Sequence, residues 1–442
     1  MLRARRPHLF CAVSGILVFL VAGAAGGSDT VGPTLDLPNA TGVARLYSAA
    51  GPVDVSHPFG QDLGTNGRTC LTCHAPAEGM SITPSGVRAR FDASDGLDPL
   101  FRTNDGSNSP DADVSTIEAR RAAYSLLLSR GLIRVEMTVP AGAEFIVESV
   151  DDPYGFATPT RLSLFRRPLP AANLAFLTTV MWDGRETFEG EPVPFALARQ
   201  ANNATLGHAQ ATQALAPDQQ AAIVDLQTTL FMAQTRDRSA AGLVTDRSKG
   251  GPEMLARQEF FPGVNTGPVT TSEVFKLFEA PQVVDFVSDA RARIAYGQFL
   301  FNTLLVGQTG LTCSSCHNVP NVGSNSKGMF FDTGIANLNT KVGIFPERGR
   351  DPALPLYTLR CLATGNVVRT TDPGRALVTG RCDDIGHFKV PLLRGLATRA
   401  PYFHNGSAAT ISDVVSFYNR IFAGGGWRSP DVEALEAFLR AL

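Results

Sequence analysis

The sequence predicts a mainly α fold built from two similar helical modules, with a β-hairpin inserted in the first. Three observations predict it. The pattern C-x-x-C-H occurs twice, at Cys70-Leu71-Thr72-Cys73-His74 and at Cys313-Ser314-Ser315-Cys316-His317. Apolar residues recur at helical spacing before and after the second copy. Between the copies, the run from Leu132 to Val139 alternates in polarity instead, as a strand does.

C-x-x-C-H is the attachment signature of c-type haem. The two thiols add across the haem vinyl groups, and the adjacent histidine supplies the proximal iron ligand. Seven His and seven Cys in 442 residues give roughly 0.002 chance copies, so two copies are not an accident. A zinc half-site or a redox C-x-x-C pair leaves the repeated histidine unexplained. Two covalent haems follow. One is held by Cys70 and Cys73 with His74 as ligand, the other by Cys313 and Cys316 with His317.

The chain is long enough for two or three domains, and its 44% hydrophobic content suits sizeable cores. Residues 1–27 read as a secretory signal peptide. Arg3, Arg5 and Arg6 are its basic start, Leu9 to Val21 its apolar run, and Ala22-Gly23-Ala24 its small-residue cleavage region. The apolar run is shorter than the ~20 residues of a spanning helix. The mature chain is therefore expected in the periplasm without a membrane span. Losing the three arginines takes the formal charge from −2 to −5. With no basic run, nothing favours nucleic acid. Cys11 leaves with the signal and four cysteines hold haem. Cys361 and Cys382 remain, and in an exported chain they are expected to form a disulfide.

In chain order, residues 29–40 read as a polar, mobile leader. The first haem module spans 41–246. Val43, Leu46 and Tyr47 suggest a short helix before the first motif. An insertion covers about 82–163. It holds a helix from about Thr116 to Ser129, then the hairpin. Leu132 to Val139 would pair with Phe145-Ile146-Val147 across Pro140-Ala141-Gly142-Ala143. A helix after Pro217-Asp218 carries Ile223, Leu226, Leu230 and Phe231 on one face. Glycines and prolines mark 247–285 as a connection. The second module spans 286–442. Ser288-Asp289 caps a helix bearing Ile294, Gly297, Phe301 and Leu304. Two tail helices follow, from about Ser412 to Phe422 and from Ser429-Pro430-Asp431 onward.

Three further blocks resemble the bacterial di-haem cytochrome c peroxidase superfamily, which includes MauG-like enzymes. They are Met181-Trp182-Asp183-Gly184-Arg185, the turn Phe330-Phe331-Asp332-Thr333-Gly334-Ile335-Ala336-Asn337, and Phe388-Lys389-Val390-Pro391-Leu392-Leu393-Arg394 running on to Ala400-Pro401-Tyr402-Phe403-His404-Asn405-Gly406-Ser407. The resemblance is strong from about 290 to 422 and patchier from 65 to 210. Residues 82–163 have no counterpart. It implies two cytochrome c-like haem domains. The N-terminal haem would react with hydrogen peroxide. The C-terminal haem would relay or store electrons, with Trp182 between them. It also implies a periplasmic electron-donor or substrate protein, and dimers occur in the family, which makes a homodimer one expectation.

The resemblance then points to the residues around each iron. Tyr418 stands where the peroxidases place a methionine and MauG-like enzymes a tyrosine. A phenolate ligand favours ferric and higher iron states; alternatively Tyr418 packs in a core. Gln200 and Gln210 keep the spacing of a family Gln and Glu, but an amide at 210 cannot shuttle a proton. His208, two residues away, can. It reads equally as an iron ligand or a structural histidine. Arg167 and Arg399 match the side-chain ligands of a family calcium ion. Cations do not ligate calcium, so these arginines, with Arg394, are expected on haem propionates. The function implied is a peroxide-using di-haem oxidoreductase. The alternatives are an electron-transfer cytochrome with both irons closed, or a di-haem oxygenase.

Overall fold

The computed structural model describes residues 30–54, 56–263, 273–281, 289–306, 310–338, 351–423 and 426–442. The expected signal peptide, Ser288 and parts of the expected connection lie outside them. The fold is mixed, 32% helix and 19% strand, so the expectation of a mainly α protein is corrected. Among the described residues no helix is long and apolar enough to cross a membrane.

Strands replace the expected leader and short helix. β1 (Thr34–Asn39) and β2 (Gly42–Ser48) form a hairpin. Its turn is held by Asn39, whose Oδ1 accepts from the Thr41 amide at 3.0 Å. Ala44, Leu46 and Ser48 are buried while Val43, Arg45 and Tyr47 are half-buried. That is a period of two, and so short a run fits period 3.6 equally well.

The insertion contains α1 (Pro84–Ser94), α2 (Ile117–Ala123) and α3 (Ser125–Arg130). The last two are the expected 116–129 helix, broken at Tyr124. Its strands are β3 (Ile133–Thr138), β4 (Phe145–Asp151) and β5 (Arg161–Arg166). The hairpin expectation fails here. β3 pairs with β5, Ile133 opposite Arg166. After α4 (Val193–Gly207) and α5 (Pro217–Thr229) comes β6 (Leu230–Asp237), paired with β2. Leu230 and Phe231 thus belong to a strand rather than to the preceding helix face.

α6 (Ala290–Thr303) starts at Asp289, whose carboxylate accepts from the Arg291 and Ala292 amides. Further on, β7 (Leu356–Cys361) lies between β4 and β8 (Val367–Thr370). β4 therefore pairs across some 200 residues of sequence, because its apolar face finds partners there. Phe145, Val147, Leu162 and Leu164 share one core with Tyr357, Leu359, Leu377 and Ile385. The Cys361–Cys382 disulfide closes the edge of that core, as expected. The tail helices α7 (Ile411–Ala423) and α8 (Ser429–Arg440) are present. α6 and α8 cross at Gly297, where a Cβ would stand 1.9 Å from the Ala434 carbonyl oxygen, so only glycine fits.

Candidate active site

The two motifs fold alike. Each occupies a single turn, Cys70–Thr72 and Cys313–Cys316. A hydroxyl side chain caps each turn: the Thr69 amide donates to Thr72 Oγ1 at 3.0 Å, and the Thr312 amide to Ser315 Oγ at 2.8 Å. His74 Nδ1 donates to the Met80 carbonyl at 3.0 Å, and His317 Nδ1 to the Gly323 carbonyl at 2.5 Å. Both acceptors lie six residues on, in left-handed backbone (φ 55° and 77°). A carbonyl can only accept, so Nδ1 carries the proton and Nε2 keeps a lone pair for a metal. Burial lowers both imidazoles, His317 to about 4, which keeps them in the neutral, ligating form. Burial also pushes the Cys70 and Cys313 thiols up to about 12.

Each motif opens on an apolar cavity. The first is lined by Cys70, Cys73 and His74, with Gln200 from the middle of α4 and His208 just past its end. The second is lined by Cys313, Cys316 and His317, with Tyr418 from α7. The wall between them is shared: Arg167 to Pro170, Trp182, Lys389 and Leu392 line both. Trp182 is fixed at two points. Its Nε1 donates to the Arg167 carbonyl at 2.8 Å, and its carbonyl accepts from the Lys389 amide at 2.9 Å. His404 meets Trp182 edge-on and stacks on Phe388, with ring centres 3.9 Å apart.

These residues fit haem. Paired thiols stand beside a histidine of fixed tautomer at the rim of an apolar space. Cations with no carboxylate partner among the described residues lie near by. Lys389 donates to the Thr179 carbonyl, and burial lowers its amine to about 7. Arg399, lowered by burial to about 10, keeps Nε without a hydrogen-bond partner among the described residues. Arg394, expected beside the propionates, lines neither cavity; it is 2% exposed, with Nε and Nη1 equally unmatched there. Haem propionates are anions of the kind such groups require. Arg167 is differently placed. Its guanidinium donates to four backbone carbonyls, those of Ile82, Arg130, Gly131 and Arg399, at 2.6 to 3.3 Å. Those carbonyl oxygens already have a cation.

Around the first cavity the sequence-predicted residues part company. Gln200 and His208 line it. Gln210 does not; it is exposed and accepts from Asn66 Nδ2 at 3.3 Å. His208 Nδ1 meets Asp105 Oδ2 at 2.5 Å, and Arg68 Nη1 meets Asp105 Oδ1 at 2.5 Å. Sequence reasoning missed both partners. Asp105 lies in the unmatched insertion, 103 positions from His208, and no local pattern marks it. α4 itself was also missed, since its buried face is made of Ala196, Ala201 and Thr205 around one leucine, too weak a stripe to stand out.

No family model matches the chain. The chain is 34% identical over 140 residues to a cytochrome-c peroxidase of Denitromonas iodatirespirans, covering 29% of this chain and 35% of that protein. It is 32% identical over 134 residues to the cytochrome c551 peroxidase of Nitrosomonas europaea, covering 30% and 31%. These matches relate the chain to the bacterial cytochrome c peroxidases, and so to the di-haem peroxidase and MauG-like superfamily that its motifs resemble. The matched stretch spans about a third of each relative. Among solved structures, a MauG-like protein associated with microbial copper homeostasis aligns over 63% of this chain and 73% of its own, at 17% identity and a TM-score of 0.34.

Proposed function

We propose that this protein is an exported di-haem oxidoreductase that reduces hydrogen peroxide at its first cavity. Its two haem modules are residues 41–246 and 286–442, joined by 247–285. The second haem relays or stores electrons, and Trp182 lies on the path between. Electrons come from a periplasmic donor protein or an oxidisable substrate protein. When bound, the haem at His74 supplies the iron that takes peroxide and the two electrons that O–O cleavage consumes.

The remaining work falls to side chains. His208 Nε2 takes a proton from one peroxide oxygen and returns it to the other, which leaves as water. Gln200 donates an amide hydrogen bond to the bound peroxide. The apolar walls exclude bulk water. In the second cavity Tyr418 would ligate the iron when haem is bound, which would favour oxidised iron over a ferrous carrier. Arg399 and Lys389, which line the cavities, would neutralise propionates.

The difference between the two cavities carries this reading: one places Gln200 and His208 beside its motif, the other Tyr418. An electron carrier closed by His208 would have no use for the Gln200 amide beside it. The test is peroxide consumption by the haem-loaded protein with a reduced small cytochrome as donor. The wild type is expected to turn over, and His208→Gln to lose about 100-fold in rate. A fully loaded wild type that leaves peroxide untouched would contradict the reading.

A further inference from the structure

The insertion is the part of the chain that the resemblance leaves unexplained, and it reaches the first cavity. Asp105 is 5% exposed and gives each carboxylate oxygen one partner. Oδ1 accepts from Arg68 Nη1 and Oδ2 from His208 Nδ1, both at 2.5 Å. Arg68 is itself locked. Its Nε donates to the Pro99 carbonyl and its Nη2 to the Leu100 carbonyl, both at 2.8 Å. The same insertion segment holds the end of α4 through Asn104 Nδ2, which donates to the Gly207 carbonyl at 3.2 Å. Arg68 stands two residues before Cys70, so one stretch of insertion grips both the haem-attachment turn and the histidine.

We propose that Asp105, fixed by Arg68, is the positioning residue that makes His208 the proton carrier of the first cavity. This rests on the reading of His208 given above. A carboxylate behind Nδ1 does two things. It fixes the tautomer, so the Nε2 lone pair is the one that meets peroxide. It also stabilises the imidazolium that forms when a proton is taken. Asp105 is held ionised: burial would raise its carboxyl, but the His208 bond and the Arg68 charge more than offset it. The charged and titratable groups around the pair include Arg68, Arg134, whose amide donates to the Asp105 carbonyl at 2.7 Å, Cys73, Tyr124, and His74 in the same cavity. The insertion is thereby part of the active site.

The experiment compares wild type, Asp105→Asn and His208→Gln as haem-loaded proteins. Two quantities are read. One is the bimolecular rate with peroxide by stopped flow. The other is the rate at which diethyl pyrocarbonate acylates His208 Nε2 at one fixed alkaline pH, followed by peptide mass spectrometry, which needs no turnover. Asp105→Asn is expected to slow the peroxide reaction about 100-fold. It is also expected to slow the acylation of His208, because an amide behind Nδ1 no longer keeps the lone pair on Nε2. Asp105→Glu restores most of both rates. If His208→Gln reacts with peroxide at the wild-type rate, the proton-carrier reading fails and the proposal with it. If His208→Gln is slow but Asp105→Asn keeps both wild-type rates, Asp105 alone is overturned. A slower peroxide reaction of Asp105→Asn that Asp105→Glu does not restore also overturns it, since that is a structural effect. Should Asp105→Asn not take up haem, Asp105→Ser carries the same two readings.

Discussion

Tyr418 shows how far a single residue can be read. Its place on the helix after the Ala400-to-Ser407 block suggested a ligand, and the same helix face suggested a core residue. The structure puts it in the cavity of Cys313, Cys316 and His317, where burial and the neighbouring thiols raise its phenol above the usual range. A buried neutral phenol is costly to ionise, so ligation needs the iron's charge. Tyr418→Phe is therefore expected to change the low-spin electron paramagnetic resonance signal of the second haem and leave the first unaltered. An unchanged second signal would make Tyr418 a packing residue. Asp183 answers a different question. Burial would raise its carboxyl, but Arg166 at 2.5 Å and Arg185 hold it down at about 2. Its folded value lies below the ordinary 3.8, so its contribution is full above that value and is lost as the pH falls from about 4 to about 2. That is about 2 kcal/mol. Urea midpoints between pH 7 and pH 2 should thus fall less for Asp183→Asn than for wild type.

At the scale of elements, what was legible was what local chemistry dictates. The cap at Asp289 gave α6, Pro217 gave α5, and Pro430 in the first turn gave α8, although Ser429 is that helix's first residue and not its cap. Both C-x-x-C-H turns were written in five residues each. Strand pairing was not legible, because β4 owes its partner to a hydrophobic face some 200 positions away and no hairpin turn announces it. The hairpin expectation took sequence proximity for pairing. β1 and β2 were misread for another reason: their apolar residues number too few to separate the two periods. The β4–β7–β8 sheet also carries a buried polar tie. The Tyr357 hydroxyl, 0% exposed, donates to the Ser163 carbonyl at 2.7 Å and accepts from the Ser163 amide at 2.9 Å. Tyr357→Phe leaves both backbone groups unpaired, and is expected to lower stability by about 1–3 kcal/mol. Thermal unfolding of the haem-loaded protein checks it, with no change in midpoint as the contrary result.

For the whole molecule, the same layout recurs around each motif and the difference lies in what faces it. Two thiols and a tethered histidine open on a cavity, twice, with Trp182 in the common wall. β4 and β5 tie early and late parts of the chain together. Arg166, at the end of β5, pairs in the interior with both Asp183 and Asp372, and β4 joins the sheet of the later chain. The sequence could show the two C-x-x-C-H turns and the tryptophan because each is a short local pattern. It could not show that Asp105 and Arg68 stand behind His208, because only the folded insertion brings them there.

The central claim is that the first haem is open to peroxide and the second is not. Low-temperature electron paramagnetic resonance of the ferric protein, before and after one equivalent of hydrogen peroxide, tests it directly. The expected result is a high-spin signal beside a low-spin one, both altered by peroxide. Two low-spin signals indifferent to peroxide, before and after partial reduction, would contradict the claim and leave an electron-transfer cytochrome.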